Sequence, residues 1–202
     1  MTPQQFLQKI KKQSNQIKRY IQRDAPRIVA TEAVNHFKKS FLDGGFTDSY
    51  LVPWKPSKRT NPSSIWYGFE YGARTPTPSN HPRRTSRHVK THGRASPAGR
   101  VSKYKPRKSN PITNYSPAAT KRRTMSGKTG DLKDSIQYRL EPSKAIIFSD
   151  QPYAAIHNEG GKTSVFGRKT VTMPKRQFIG DSIKLNARIK YELQKDITRL
   201  LT

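Results

Sequence analysis

The sequence predicts an α+β protein: a small antiparallel β-sheet packed by N-terminal and C-terminal helices, with a long basic loop or arm inserted. Three observations predict it. Apolar residues recur at helical spacing near both ends, they alternate at strand spacing around residues 136–148, and they thin out in a Pro-rich basic stretch between. A chain of 202 residues has room for one ordinary domain and an appendage.

Phe6, Ile10, Ile17, Ile21, Ile28, Val29, Ala33, Phe37 and Phe41 lie at helical spacing and predict two helices. Pro26 suits the first turn of the second, where a missing N–H costs nothing, and Asp24 is its expected cap, so the break falls near Asp24. Asp43-Gly44-Gly45 ends that helix. Phe46, Tyr50, Leu51, Val52 and Trp54 follow in an extended, proline-bounded stretch, with Trp54 the expected core anchor.

After Thr129 the period changes. Ile136, Tyr138 and Leu140 share one strand face, Glu141-Pro142-Ser143 turns the chain, and Ala145 to Phe148 return, which predicts a β-hairpin. Tyr153 to His157 suits one or two helical turns before Gly160-Gly161, and Thr170 to Met173 a further strand that Pro174 ends. Asp181 or Ser182 caps a C-terminal helix with an apolar stripe of Leu185, Ile189, Leu193, Ile197, Leu200 and Leu201. Ile189, Leu193 and Ile197 are expected to face the sheet, and Leu193→Asp to abolish folding.

Forty basic residues against 13 acidic ones give a formal charge of +27, which calls for an acidic partner or a polyanion. Residues 1–70 carry 12 basic and 5 acidic side chains, residues 71–130 carry 15 and none, and residues 131–202 carry 13 and 8. The middle stretch also holds Pro76, Pro78, Pro82, Pro97, Pro106, Pro111 and Pro117 and few large aliphatics, so it lacks the means to build a core alone. Residues 1–73 and 124–202 are therefore read as a single α+β domain and residues 74–123 as an inserted basic arm. The candidate contacts to DNA or a partner are Arg83, Arg84, Arg87, Lys90, Arg94, Arg100, Lys103, Lys105, Arg107, Lys108, Lys121, Arg122 and Arg123. Tyr104 and Tyr115 lie among them. The stretch has two readings, a solvated, disordered loop or an arm that becomes ordered against phosphate or an acidic protein surface, the second being favoured.

Chemistry is sparse. With no cysteine there is no disulfide, thiolate ligand or thiol nucleophile. His88 and His92 have the i, i+4 spacing of a metal pair, but Arg83, Arg84, Arg87, Lys90 and Arg94 surround them and repel a cation. His36 reads as an ordinary, partly exposed helix side chain. A nuclease needs carboxylates to hold metal ions, and none lies between Glu70 and Asp131. Ser126-Gly127-Lys128-Thr129-Gly130 lacks the upstream glycine of a phosphate loop, since position 122 is Arg, and it precedes a strand pattern instead of a helix. No Gly-x-Ser-x-Gly elbow occurs. No catalytic residue, metal or cofactor is expected. Lysines interrupt every apolar run of the N-terminus, so neither a signal-peptide core nor a membrane span is expected.

Four strings in order carry a resemblance: Gly44-Gly45 with Trp54-Lys55-Pro56 and Thr60; Thr129-Gly130-Asp131-Leu132 with Asp134-Ser135-Ile136; Tyr153-Ala154-Ala155-Ile156-His157-Asn158-Glu159-Gly160-Gly161; and Met173-Pro174-Lys175-Arg176-Gln177-Phe178-Ile179-Gly180. Together they resemble the phage virion-morphogenesis and tail-completion families, including the Mu-like morphogenesis proteins. The resemblance covers roughly residues 30–60 and 125–202 and departs between them. It implies a non-enzymatic homo-oligomer, a ring of roughly six or twelve copies, at the head–tail junction or the top of the tail. Neighbouring portal, connector or tail proteins are its implied partners, with DNA passing through the ring. The competing expectation is a DNA-packaging accessory or other nucleic-acid-binding protein that uses the same arm. His157 and Arg176 serve either subunit contacts or internal hydrogen bonds, the second being favoured.

Overall fold

A computed structural model describes residues 2–73, 75, 78, 81, 114–165 and 169–201. These residues form two compact units, one of residues 1–55 and 123–202 and one of residues 56–122.

The first unit opens with α1 (Pro3–Arg19), which Thr2 starts through a reciprocal capping box: its Oγ1 accepts the Gln5 N–H while Gln5 Oε1 accepts the Thr2 N–H. The predicted break near Asp24 is instead a π-helical turn, Tyr20–Asp24, closed by the Ala25 N–H donating to the Tyr20 carbonyl, and the chain runs on into α2 (Ala25–Asp43). Because Asp24 stays in helical conformation its side chain caps nothing, a correction to the expected N-cap. Tyr20 is buried and its hydroxyl donates to Asp196 Oδ2 at 3.3 Å. Burial, with the Asp196 charge, pushes the phenol up to about 12.

Gly44, at φ 70°, ends α2 as expected. The next stretch is a short hairpin of β1 (Gly45–Thr47) and β2 (Leu51–Pro53). Phe46 and Trp54 are buried, whereas Tyr50, Leu51 and Val52 are exposed. After residue 122 come a single helical turn α4 (Asp131–Asp134), β3 (Ile136–Glu141), β4 (Lys144–Ser149), α5 (Ala154–Glu159), β5 (Gly161–Val165), β6 (Lys169–Met173) and α6 (Ile183–Leu201). The name α3 is kept for Pro117–Lys121 of the second unit.

The strands are antiparallel, but among the described residues they make three separate two-stranded hairpins and not one sheet. In the β3–β4 hairpin Ile136 is buried while Tyr138 and Leu140 reach solvent, so the expected apolar face is buried at one end only. The core joins Ala33, Phe37 and Phe41 of α2 to Phe46, Trp54, Leu132, Ile136, Ala154, Phe178 and Leu185. At its centre the Phe41 ring meets Trp54 and Phe178 edge-on, each at 5.3 Å.

Ser182, fully buried, caps α6: its Oγ accepts the Leu185 N–H at 3.2 Å and donates to the Thr47 carbonyl at 2.9 Å. The helix packs along α2 and α1, which corrects the expectation that Ile189, Leu193 and Ile197 face the sheet. Leu185 is buried, but those three are only half-buried. Among the described residues no helix is long and apolar enough to cross a membrane.

The second unit has no extended strand among its described residues. Tyr115 bridges to Phe69 and to Thr75, and α3 follows it. His81 is buried beside the Tyr67 and Tyr115 rings, and its Nε2 donates to the Tyr67 carbonyl at 2.7 Å. Tyr115, His81 and Ala119 are the side chains buried here among the described residues.

Candidate functional site

Ten of the thirteen candidate contacts, Arg83, Arg84, Arg87, Lys90, Arg94, Arg100, Lys103, Lys105, Arg107 and Lys108, lie outside the described residues, as do His88 and His92. The remaining three have distinct surroundings. Lys121 is exposed at the last residue of α3. Arg122 Nη2 donates to both Glu70 carboxylate oxygens, at 3.3 and 3.4 Å, with both side chains largely buried. Arg123 Nη1 donates to the Leu42 carbonyl at 2.9 Å, at the C-terminal end of α2, where a cation also suits the helix dipole. Arg122 and Arg123 thus hold the local fold, and Lys121 points its charge to solvent.

The other singled-out residues come together in the first unit. The string Tyr153–Gly161 forms α5 and the turn after it, and Met173–Gly180 runs back against it. The Arg176 N–H donates to the His157 carbonyl at 2.8 Å. Asn158 Oδ1 accepts two backbone donors, Phe178 N–H at 2.9 Å and Ile179 N–H at 3.0 Å. Gly160 makes the close approach possible: at φ 72° and ψ −167° it adopts a conformation essentially restricted to glycine, and a Cβ there would lie 2.6 Å from the Lys175 nitrogen.

The tryptophan string completes this clasp. Trp54 Nε1–H donates to the Gln177 carbonyl at 2.7 Å, and Arg176 Nε–H donates to the Lys55 carbonyl at 3.0 Å. Three of the four strings therefore meet at one place, while the fourth supplies Leu132 and Ile136 to the same core. The polar side chains here satisfy backbone groups that loop segments would otherwise bury unpaired. Asn158 is the partner that sequence reasoning did not single out.

Arg176 is buried, and burial lowers its pKa. The His157 ring packs edge-on against Tyr153 at 5.9 Å, and its Nδ1 is buried without a hydrogen-bond partner. Burial, and then the neighbouring Arg176 charge, lower the His157 pKa and favour neutral imidazole. Among the described residues no group of three or more His, Cys, Asp or Glu side chains is placed to hold a metal ion.

What the fold and this site define is a small α+β protein whose motif residues fasten loop segments onto a helical core. The chain belongs to the phage virion morphogenesis family, whose sequence profile matches residues 84–197, more than half of its length. It is thus a bacteriophage protein of the structural, virion-building kind. The matched span runs through the basic stretch from residue 84, which the resemblance read from the sequence left out, and it excludes residues 30–60, which that resemblance included. Neither the curated proteins nor the solved structures compared with this chain include a match.

Proposed function

We propose that the chain is a ring-forming tail-completion or head–tail connector subunit, a neck protein of a tailed phage that works by assembly and not by turnover. Family membership across residues 84–197 is the observation that supports this reading. The clasp agrees with it, because the chain's most distinctive polar residues hold a rigid unit together instead of converging on a substrate.

In this reading roughly six or twelve copies close a ring at the head–tail junction or the top of the tail, against portal, connector or tail neighbours. Residues 74–123 are the inserted arm. Its cations, from Arg83 to Lys108 with exposed Lys121, lie against packaged DNA or acidic faces of adjacent proteins. Cryo-electron microscopy of particles that contain the chain tests the assignment. Closed ring density at the head–tail junction is the expected result, and absence of the chain from mature particles would remove the proposal.

A second reading is favoured by one observation, the 15 basic and no acidic residues of positions 71–130. In it the chain is a nucleic-acid-binding or DNA-packaging accessory protein. DNA binding by the purified chain that weakens steeply with salt, together with absence from the particle, distinguishes it from the ring subunit.

A further inference from the structure

Residues 2–12, which include the first turns of α1, are all exposed. The helix is tethered farther along, where Gln13 Nε2–H donates to the Leu201 carbonyl at the end of α6. On this free segment Phe6, Leu7 and Ile10 are 54, 58 and 47 % exposed. A helical wheel puts them on one face, and on the same wheel Lys9 borders one edge of that face while Lys11 and Lys18 border the other. The opposite face holds Gln4, Gln5 and Gln8 with Lys12 and Arg19, and α1 as a whole holds five cations and no acid.

We infer that the N-terminal half of α1 is a docking helix that lays Phe6, Leu7 and Ile10 into an apolar, acid-rimmed groove on a different protein. Phe6 with Ile10 at i, i+4 and Leu7 with Ile10 at i, i+3 have the anchor spacings of a helix in a groove. The lysines at both edges select the rim by charge, raising the association rate and excluding basic surfaces. The α1 of a second copy fits poorly, since it would set lysine against lysine. A bilayer is the less fitting surface for a chain of a virion-building family, whose neighbours are other virion proteins, and lipid crosslinks are its outcome in the test. This inference extends the proposed function to a partner but does not depend on a ring or on the basic arm.

The test is a photo-crosslinking amino acid placed at Leu7 of the full chain in phage-producing cells, with Gln8 as the opposite-face control, read by mass spectrometry of the joined peptides. The expected result is one dominant partner peptide at Leu7, from a different protein, with apolar residues flanked by Asp or Glu, and little product at Gln8. Ile10→Asp, at an exposed position, is expected to leave the circular dichroism and melting unchanged while cutting the Leu7 product by about tenfold. Crosslinks to peptides of this chain, to lipid, or equally from both faces would overturn the inference, as would no crosslink. A Leu7 crosslink to an acidic groove in cells whose particles lack the ring would remove the proposed function and leave the docking helix standing.

Discussion

Asn158 and Phe178 are joined by a 2.9 Å hydrogen bond from the Phe178 N–H to the Asn158 carboxamide oxygen, and the same oxygen takes the Ile179 N–H. One side-chain atom thereby satisfies two backbone donors beside Phe178, which is 1 % exposed. Asn158→Ala leaves both donors unpaired and is expected to destabilise the chain by about 2–4 kcal/mol. Asn158→Asp keeps an acceptor in place and recovers most of that loss. Urea melts of the two variants check the pair, and equal losses would show that the oxygen is not what matters.

Two glycines separate strain from space. Gly44 and Gly160 both have positive φ, but a Cβ at Gly44 meets open space while one at Gly160 meets the Lys175 backbone. Gly44→Ala is expected to cost about 1 kcal/mol, the left-handed penalty alone. Gly160→Ala adds a clash that neither backbone can relieve, for a total of about 3 kcal/mol or more. Thermal melting of the two variants checks the order.

Burial and the Arg176 charge hold His157 below its ordinary value of about 6.5. The unfolded chain therefore binds a proton here more readily than the folded one. The contribution to stability is complete above the unfolded value and is lost as pH falls from there through the lower folded value. The melting temperature is expected to drop as pH falls below the ordinary histidine value of about 6.5, and His157→Gln to flatten that part of the profile. An unchanged slope in the variant would assign the acid sensitivity elsewhere.

Leu185 and Leu193 share a helix face but not an environment, the first being 6 % exposed and the second half-buried. Leu185→Asp puts a carboxylate into the core beside Phe41 and Phe178 and is expected to abolish folding. Leu193→Asp is expected to cost about 1–3 kcal/mol and to leave a folded chain. That outcome replaces the sequence-based expectation for Leu193, and circular dichroism of both variants decides it.

These contrasts show where sequence reasoning reaches. The stripe of α6, the stop at Gly44 and the anchor Trp54 were legible because each has a local signature: a 3.6-residue period, a glycine after a helix, a large aromatic between prolines. β5 was not, since Gly161-Lys162-Thr163-Ser164 has no apolar alternation and is defined by its pairing with β6. The burial of His81 was hidden as well, because its partners Tyr67 and Tyr115 are distant in sequence and one hydrogen bond goes to a backbone carbonyl. The motif strings were visible one by one. Their convergence depends on contacts such as Trp54 to Gln177, 123 residues apart, which no local pattern encodes.

The π-helical turn at Tyr20–Asp24 sets the aim of what precedes it. Each added residue turns a helix by about 100°, so the surplus residue in that turn fixes the azimuth of α1 without altering the core that α2 builds. The Gln22 carbonyl within it also takes the Ser143 N–H from the β3–β4 turn, which pins the adjustment in place. Deleting one residue between Tyr20 and Asp24 would swing Phe6, Leu7 and Ile10 to a new bearing while leaving their composition intact. A one-residue insertion or deletion in this turn therefore re-points the helix, an indexing step far smaller than the redesign of a surface.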